Sequence, residues 1–131
     1  MITLSDISEI IYDRCKVFDV PLFIADTTPL GEIDQERIVI IAKSIEDGKF
    51  WERCFVEVNW CVPDLHDEGN LVRVKEVERL LKQVYYGTGT CDNINYRFKK
   101  YSTNIEWEKE MRYHIANVRL MFNIQKVLEN G

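Results

Sequence analysis

The chain has little of what most catalytic sites are built from. It has only two histidines, His66 and His114. None of the spacings among its four cysteines resembles a zinc knuckle. Cys54 and Cys61 are an odd number of residues apart in one strand pattern, so they point to opposite faces and neither bridge nor share a metal there. No phosphate-cradling glycine loop opens a helix. Gly87-Thr88-Gly89 follows a helical pattern and reads as its end. Also missing is any run of about 18 apolar residues, so no membrane span is expected. Met1-Ile2-Thr3-Leu4-Ser5-Asp6 has neither the basic start nor the apolar block of a secretory signal. The expected setting is cytoplasmic and reducing, with the thiols buried or half-buried and free. Positive charge is also short. A net charge of −5 disfavours a general nucleic-acid binder.

What is present is the material of a folded globule. The chain has 131 residues, 46% of them hydrophobic, with 3 Trp, 6 Tyr and 6 Phe. That suffices for one core and is read as a single domain over residues 1–131. Charge is divided unevenly. Residues 1–70 carry 6 Lys/Arg against 15 Asp/Glu, and residues 71–131 carry 11 against 7. A subunit with an acidic and a basic face suits head-to-tail contact with a copy of itself; an accident of composition gives the same numbers.

Periodicity sets out the elements. Leu4, Ile7, Ile10, Ile11, Cys15 and Phe18 form a helical stripe, which Thr3 can cap with Asp6 at the capping-box position. Residues 21–36 look irregular around a short patch, Leu22-Phe23-Ile24. The β-branched run 37–43 reads as an inner strand. After a turn at 46–49, residues 50–62 alternate with period two. There Phe50, Cys54, Val56, Val58, Trp60 and Val62 share one face, and Arg53, Glu57 and Asn59 the other. Asn70 can cap a helix over 71–86 with Val74, Val77, Leu80, Leu81, Val84 and Tyr85 inward. Ile94, Tyr96 and Phe98 then alternate with Asn95, Arg97 and Lys99. Residues 112–124 fit both a helix (Met111, Ile115, Val118, Phe122) and a strand (Ala116, Val118, Leu120, Phe122, Ile124). Taken as a strand, they complete an α+β domain: an antiparallel sheet of about four strands with two helices packed on one face, in the order α-β-β-α-β-β.

The chemistry-bearing residues are scattered. His66 stands in an acidic loop with Asp64, Asp67 and Glu68, a weak metal pattern more simply read as a polar loop. No local motif joins a cysteine to a histidine, and Glu57, Asp64 and Lys75 only loosely echo a magnesium-dependent nuclease. No catalytic, cofactor or metal residues are therefore assigned, and a non-enzymatic protein is expected. The aromatics are more informative. Trp51 and Phe55 lie opposite the main apolar face of their strand, and Tyr101 does the same further on. Such residues suit a second covering layer, a stacking platform or a subunit interface. The interface candidates are Trp51, Arg53, Phe55, Glu57, Arg97 and Lys99.

The arrangement resembles that of the tail-terminator and tail-completion (head–tail joining) proteins of long-tailed bacteriophages. The likeness spans residues 4–125 and is closest at Phe55-Val56-Glu57-Val58-Asn59-Trp60-Cys61-Val62-Pro63-Asp64. This stretch is similar to the family's strand ending in an aromatic and a polar turn before the long helix. The resemblance implies a structural subunit that forms a ring, commonly hexameric, on the tail tube and touches the tube and the head connector. It also implies a place in the host cytoplasm and in the virion, and contacts through loops 25–36 and 87–93. The alternative is a small intracellular binding or regulatory module with one apolar pocket.

Overall fold

The structure, a computed structural model, describes residues 1–25, 34–66 and 68–126. Helix α1 (Leu4–Cys15) starts at the expected capping box. Thr3 accepts from the Asp6 backbone N–H, and Asp6 accepts from that of Thr3. A 3-10 turn over Lys16–Phe18 follows, and Asp19 ends it at φ 52°. Strand β1 (Leu22–Ile24) precedes β2 (Arg37–Glu46) and β3 (Trp51–Pro63). Asn70 caps α2 (Leu71–Leu80) through the Arg73 N–H, and a 3-10 turn extends it to Val84. Strands β4 (Tyr86–Cys91), β5 (Ile94–Glu108) and β6 (Tyr113–Gln125) complete the chain.

The fold is α+β, but the expected four-strand antiparallel sheet needs correction. The described residues form six strands in the order β1-β2-β3-β6-β5-β4, and β1 pairs parallel with β2. Two strands had no readable signal. β1 has three residues inside a proline-flanked segment. β4 contains Gly87 and Gly89, which read as helix-ending residues and a loop but lie in a strand paired with β5. The Phe98 and Tyr96 rings lie over these glycines, filling space that side chains would otherwise occupy. Cys91, expected in a loop, ends that strand. The ambiguity over 112–124 resolves to a strand, paired with β3 along its length.

The alternation along β3 comes out almost as read. Cys54, Val56, Val58, Trp60 and Val62 are buried and join Ile7 and Ile11 of α1, Val74 and Val77 of α2, and Val118, Leu120 and Phe122 of β6 in one core. Burying each large apolar side chain contributes about 1.5–3 kcal/mol. A one-residue slip of β3 would turn that whole set outward, so its register against β6 is firmly set. Phe50 is the exception: it falls in the turn before β3 and is 60% exposed. Leu80 and Tyr85 are only partly buried against the core.

A polar tie clamps α2 across the sheet. Glu36 accepts two hydrogen bonds from the Arg73 guanidinium, at 2.7 and 2.9 Å, and one from the Trp60 indole, at 2.9 Å. Burial pushes the Glu36 carboxyl up, but the Arg73 and Trp60 hydrogen bonds outweigh it and hold the pKa below its ordinary value.

Cys54 joins the core while Cys61 lies opposite Ile115 on the other face, and all four cysteines are free. Burial pushes the Cys15 thiol up to about 12 and Cys54 to about 11. Cys91 is the least buried. A maleimide at pH 8 therefore labels Cys91 first, and mass spectrometry after partial labelling checks this. Equal early labelling of Cys15 would contradict this packing.

Candidate functional site

The core includes both helices and one face of the sheet, and no described helix covers the other face. The odd-numbered residues of β3 point there, and β6 and β5 supply their neighbours. All six interface candidates fall on this face. Trp51, Phe55 and Glu57 are half-buried, and Arg53, Arg97 and Lys99 are exposed.

Their geometry is a series of cation and aromatic pairs. The Arg97 guanidinium lies 4.5 Å from the Trp51 ring centroid, within cation–π range. Phe55 meets Tyr101 edge-on with centroids 5.0 Å apart, and Arg119 lies 5.6 Å from the Phe55 ring. Glu57 stands opposite Arg119 in the β3–β6 register and accepts from it at 3.1 Å, with Lys43 of β2 at 3.6 Å. One row along, Asn117 donates to the Asn59 side chain at 2.6 Å. Arg53 bonds Glu46 at 2.9 Å, and Lys99 opposes Met121. Exposed ion pairs contribute only about 0–1 kcal/mol each, so this lattice orients the face more than it stabilises the fold.

The same geometry changes the standing of one candidate. Glu57 is engaged by two cations of its own chain. Arg53, itself bonded to Glu46, and Arg97 line a shallow basin of about 410 Å³ near Trp51 and Asn123, and Lys99 is exposed outside it. Arg119 and Lys43 were not singled out from the sequence. The signal for Arg119 was the alternation Asn117, Arg119, Asn123 on the outer side of β6, readable only once residues 112–124 are known to be a strand.

The scattered titratable residues do not converge on this face. Val62 pairs with His114 in the β3–β6 register, which places Cys61 and His114 on opposite faces of the sheet. His114 instead meets Asp64, with Nδ1 at 2.8 Å from the carboxylate, and stacks on Trp107 with centroids 5.3 Å apart. The Trp107 indole donates to the second Asp64 oxygen at 2.9 Å. This contact joins residues 43 and 50 positions apart and left no local signal in the sequence. His66 occupies a turn at φ 56°, and its suggested companion Asp67 lies outside the described residues. Among the described residues no three His, Cys, Asp or Glu side chains group as metal ligands. No described helix is long and apolar enough to cross a membrane. Of the loops assigned to partner contact, 26–33 lies outside the described residues, and 87–93 is the β4–β5 hairpin tip with its flanking strand.

A second concavity, of about 480 Å³, opens between α1 and β1–β2, with Leu4, Ser8, Ile24 and Ile40 in its walls. No family model matches the chain, and no curated protein matches it.

Proposed function

We propose that the chain is a non-enzymatic structural subunit similar to a bacteriophage tail terminator. In this reading it caps the tail tube as a ring of its own copies and joins it to the head connector, in the host cytoplasm and then in the virion. The observation that carries the reading is the sheet face that no described helix covers, where Trp51, Phe55 and Tyr101 alternate with Arg53, Arg97, Lys99 and Arg119. Aromatics and arginine are the residues enriched where protein surfaces meet. On the opposite side of the molecule Glu9 of α1 is an exposed acid that complements that basic face. Such a two-sided charge supports head-to-tail contact, which closes a ring where an isologous contact would stop at a pair.

The test is Arg53→Glu together with Arg97→Glu. Both residues are exposed, so the fold survives. Light scattering and negative-stain images of the wild-type chain, alone and with the tube protein, are expected to show rings that the double variant loses. Unchanged assembly in the variant, or no assembly of the wild type with the tube, overturns the proposal. The second reading, a small binding module, is favoured by the cleft beside α1, and a monomeric chain binding an apolar ligand there would support it.

A further inference from the structure

One end of the sheet face carries more positive charge than its own acids answer. Across the strands, Glu46, Arg53, Asn123 and Arg97 form one row, and Phe55, Met121 and Lys99 the next. Glu57, Arg119 and Ser102 form the third. Glu46 answers Arg53, while Glu57 is shared between Arg119 and Lys43. Arg97 and Lys99 have no acidic partner among the described residues. Glu52 pairs with Ile124, on the core side. The next acids on this face, Glu106 and Glu108, stand beside Ile115 and Tyr113 toward its other end.

Beside these cations are ring planes. The Arg97 guanidinium lies 4.5 Å from the Trp51 centroid. Tyr101 is 57% exposed and meets Phe55 edge-on, and Phe50, 60% exposed, stands at the rim of the shallow basin. The partner that fits carries negative charge at intervals, with flat apolar groups between. That is the chemistry of single-stranded nucleic acid: its phosphates meet Lys and Arg, and its unstacked bases lie on aromatic and guanidinium planes. A duplex keeps its bases stacked and is read by an element that enters a groove, whereas this face is a shallow sheet. An acidic polypeptide answers the cations but leaves the exposed rings without a partner. The net charge of −5 acts at long range. At about 0.1 M salt, charges further than about 10 Å are largely screened, so the local excess governs contact. We infer that this end of the sheet face binds single-stranded nucleic acid, with Arg53, Arg97 and Lys99 on phosphates and Tyr101 and Phe50 on bases. The inference uses the same face as the ring reading without resting on it, and a neighbouring copy and a nucleic acid exclude each other there.

Fluorescence anisotropy of labelled oligothymidylate and oligouridylate with the chain alone, at low salt, is expected to show binding. Tighter binding of one or the other names DNA or RNA as the source. Arg97→Ala with Lys99→Ala weakens binding roughly ten-fold and lowers the slope of log affinity against log salt by about 1.4. Tyr101→Ala weakens it by a similar factor and leaves that slope unchanged, because a stacking contact releases no counterion. Lys75→Ala with Arg79→Ala removes the same charge from the exposed side of α2 and changes nothing. Circular dichroism confirms that each variant is folded. No binding by the wild type overturns the inference. So does equal affinity for a duplex or for polyglutamate, an unaffected Tyr101→Ala, or an equal loss in the α2 variant. Failure of the ring reading shows elsewhere, as a wild-type chain that does not assemble with the tube protein.

Discussion

Gly87→Val is expected to lower the stability of the fold by about 1 kcal/mol, read as a fall in the urea midpoint with unchanged slope. The ordinary expectation for a strand is the reverse. Valine suits a pleated strand better than glycine by up to about 1 kcal/mol, and restricting the unfolded chain adds a few tenths more. What reverses the sign is space. A Cβ at Gly87 would lie 2.3 Å from Cζ of Phe98 and 2.6 Å from its Cε1. The Phe98 ring is 1% exposed and stacks beside Phe122 with centroids 6.0 Å apart, so it has nowhere to go. Overpacking of that kind costs about 1–3 kcal/mol, more than the propensity gained. Thr88→Val, next to it but on the exposed side of the strand, should leave the midpoint unchanged within error. Gly87→Ala combined with Phe98→Leu should recover part of the loss, because the smaller side chain opens the space. A stabilised Gly87→Val would mean that the ring does not cover the backbone there.

The same glycine shows where the sequence could and could not be read. β3 was legible because one of its faces is fully buried and the other is not, and its alternation carries that difference directly. The capping box at Thr3 and Asp6 and the cap at Asn70 were legible because they are local, three residues from cap to partner. β4 was not. Gly87 and Gly89 after a helix look like a helix end, and what makes them strand residues is two aromatic rings on another strand. The far half of β5 was invisible for a different reason: it is exposed on both faces, so no burial pattern marks it. The six interface candidates share one face because strand alternation is reliable at short range. Their partners Arg119 and Lys43 come from register, which no single strand encodes. The contact of Asp64 with His114 and Trp107 is tertiary and has no sequence signature at all.

That contact carries the second large effect. Asp64→Ala is expected to cost about 2–3 kcal/mol, and Asp64→Asn roughly half of that. The Asp64 side chain is 3% exposed and its carboxylate accepts from two rings, the His114 imidazole and the Trp107 indole. Trp107 is 49% exposed, so water can take over its N–H when the carboxylate is gone. His114 is 8% exposed and has no such recourse. An orphaned buried donor costs about 1–3 kcal/mol, and the asparagine variant avoids part of this by keeping one acceptor oxygen. The loss is also local. Trp107 and His114 face each other across β5 and β6, and Asp64 follows β3, so the carboxylate links the far end of β5 to the neighbouring strands. Hydrogen exchange in Asp64→Ala should therefore quicken at residues 105–108 and 113–115 beyond the change in the rest of the sheet. A midpoint equal to the wild type, with no local change in exchange, would show that the carboxylate does not hold this end of the sheet together.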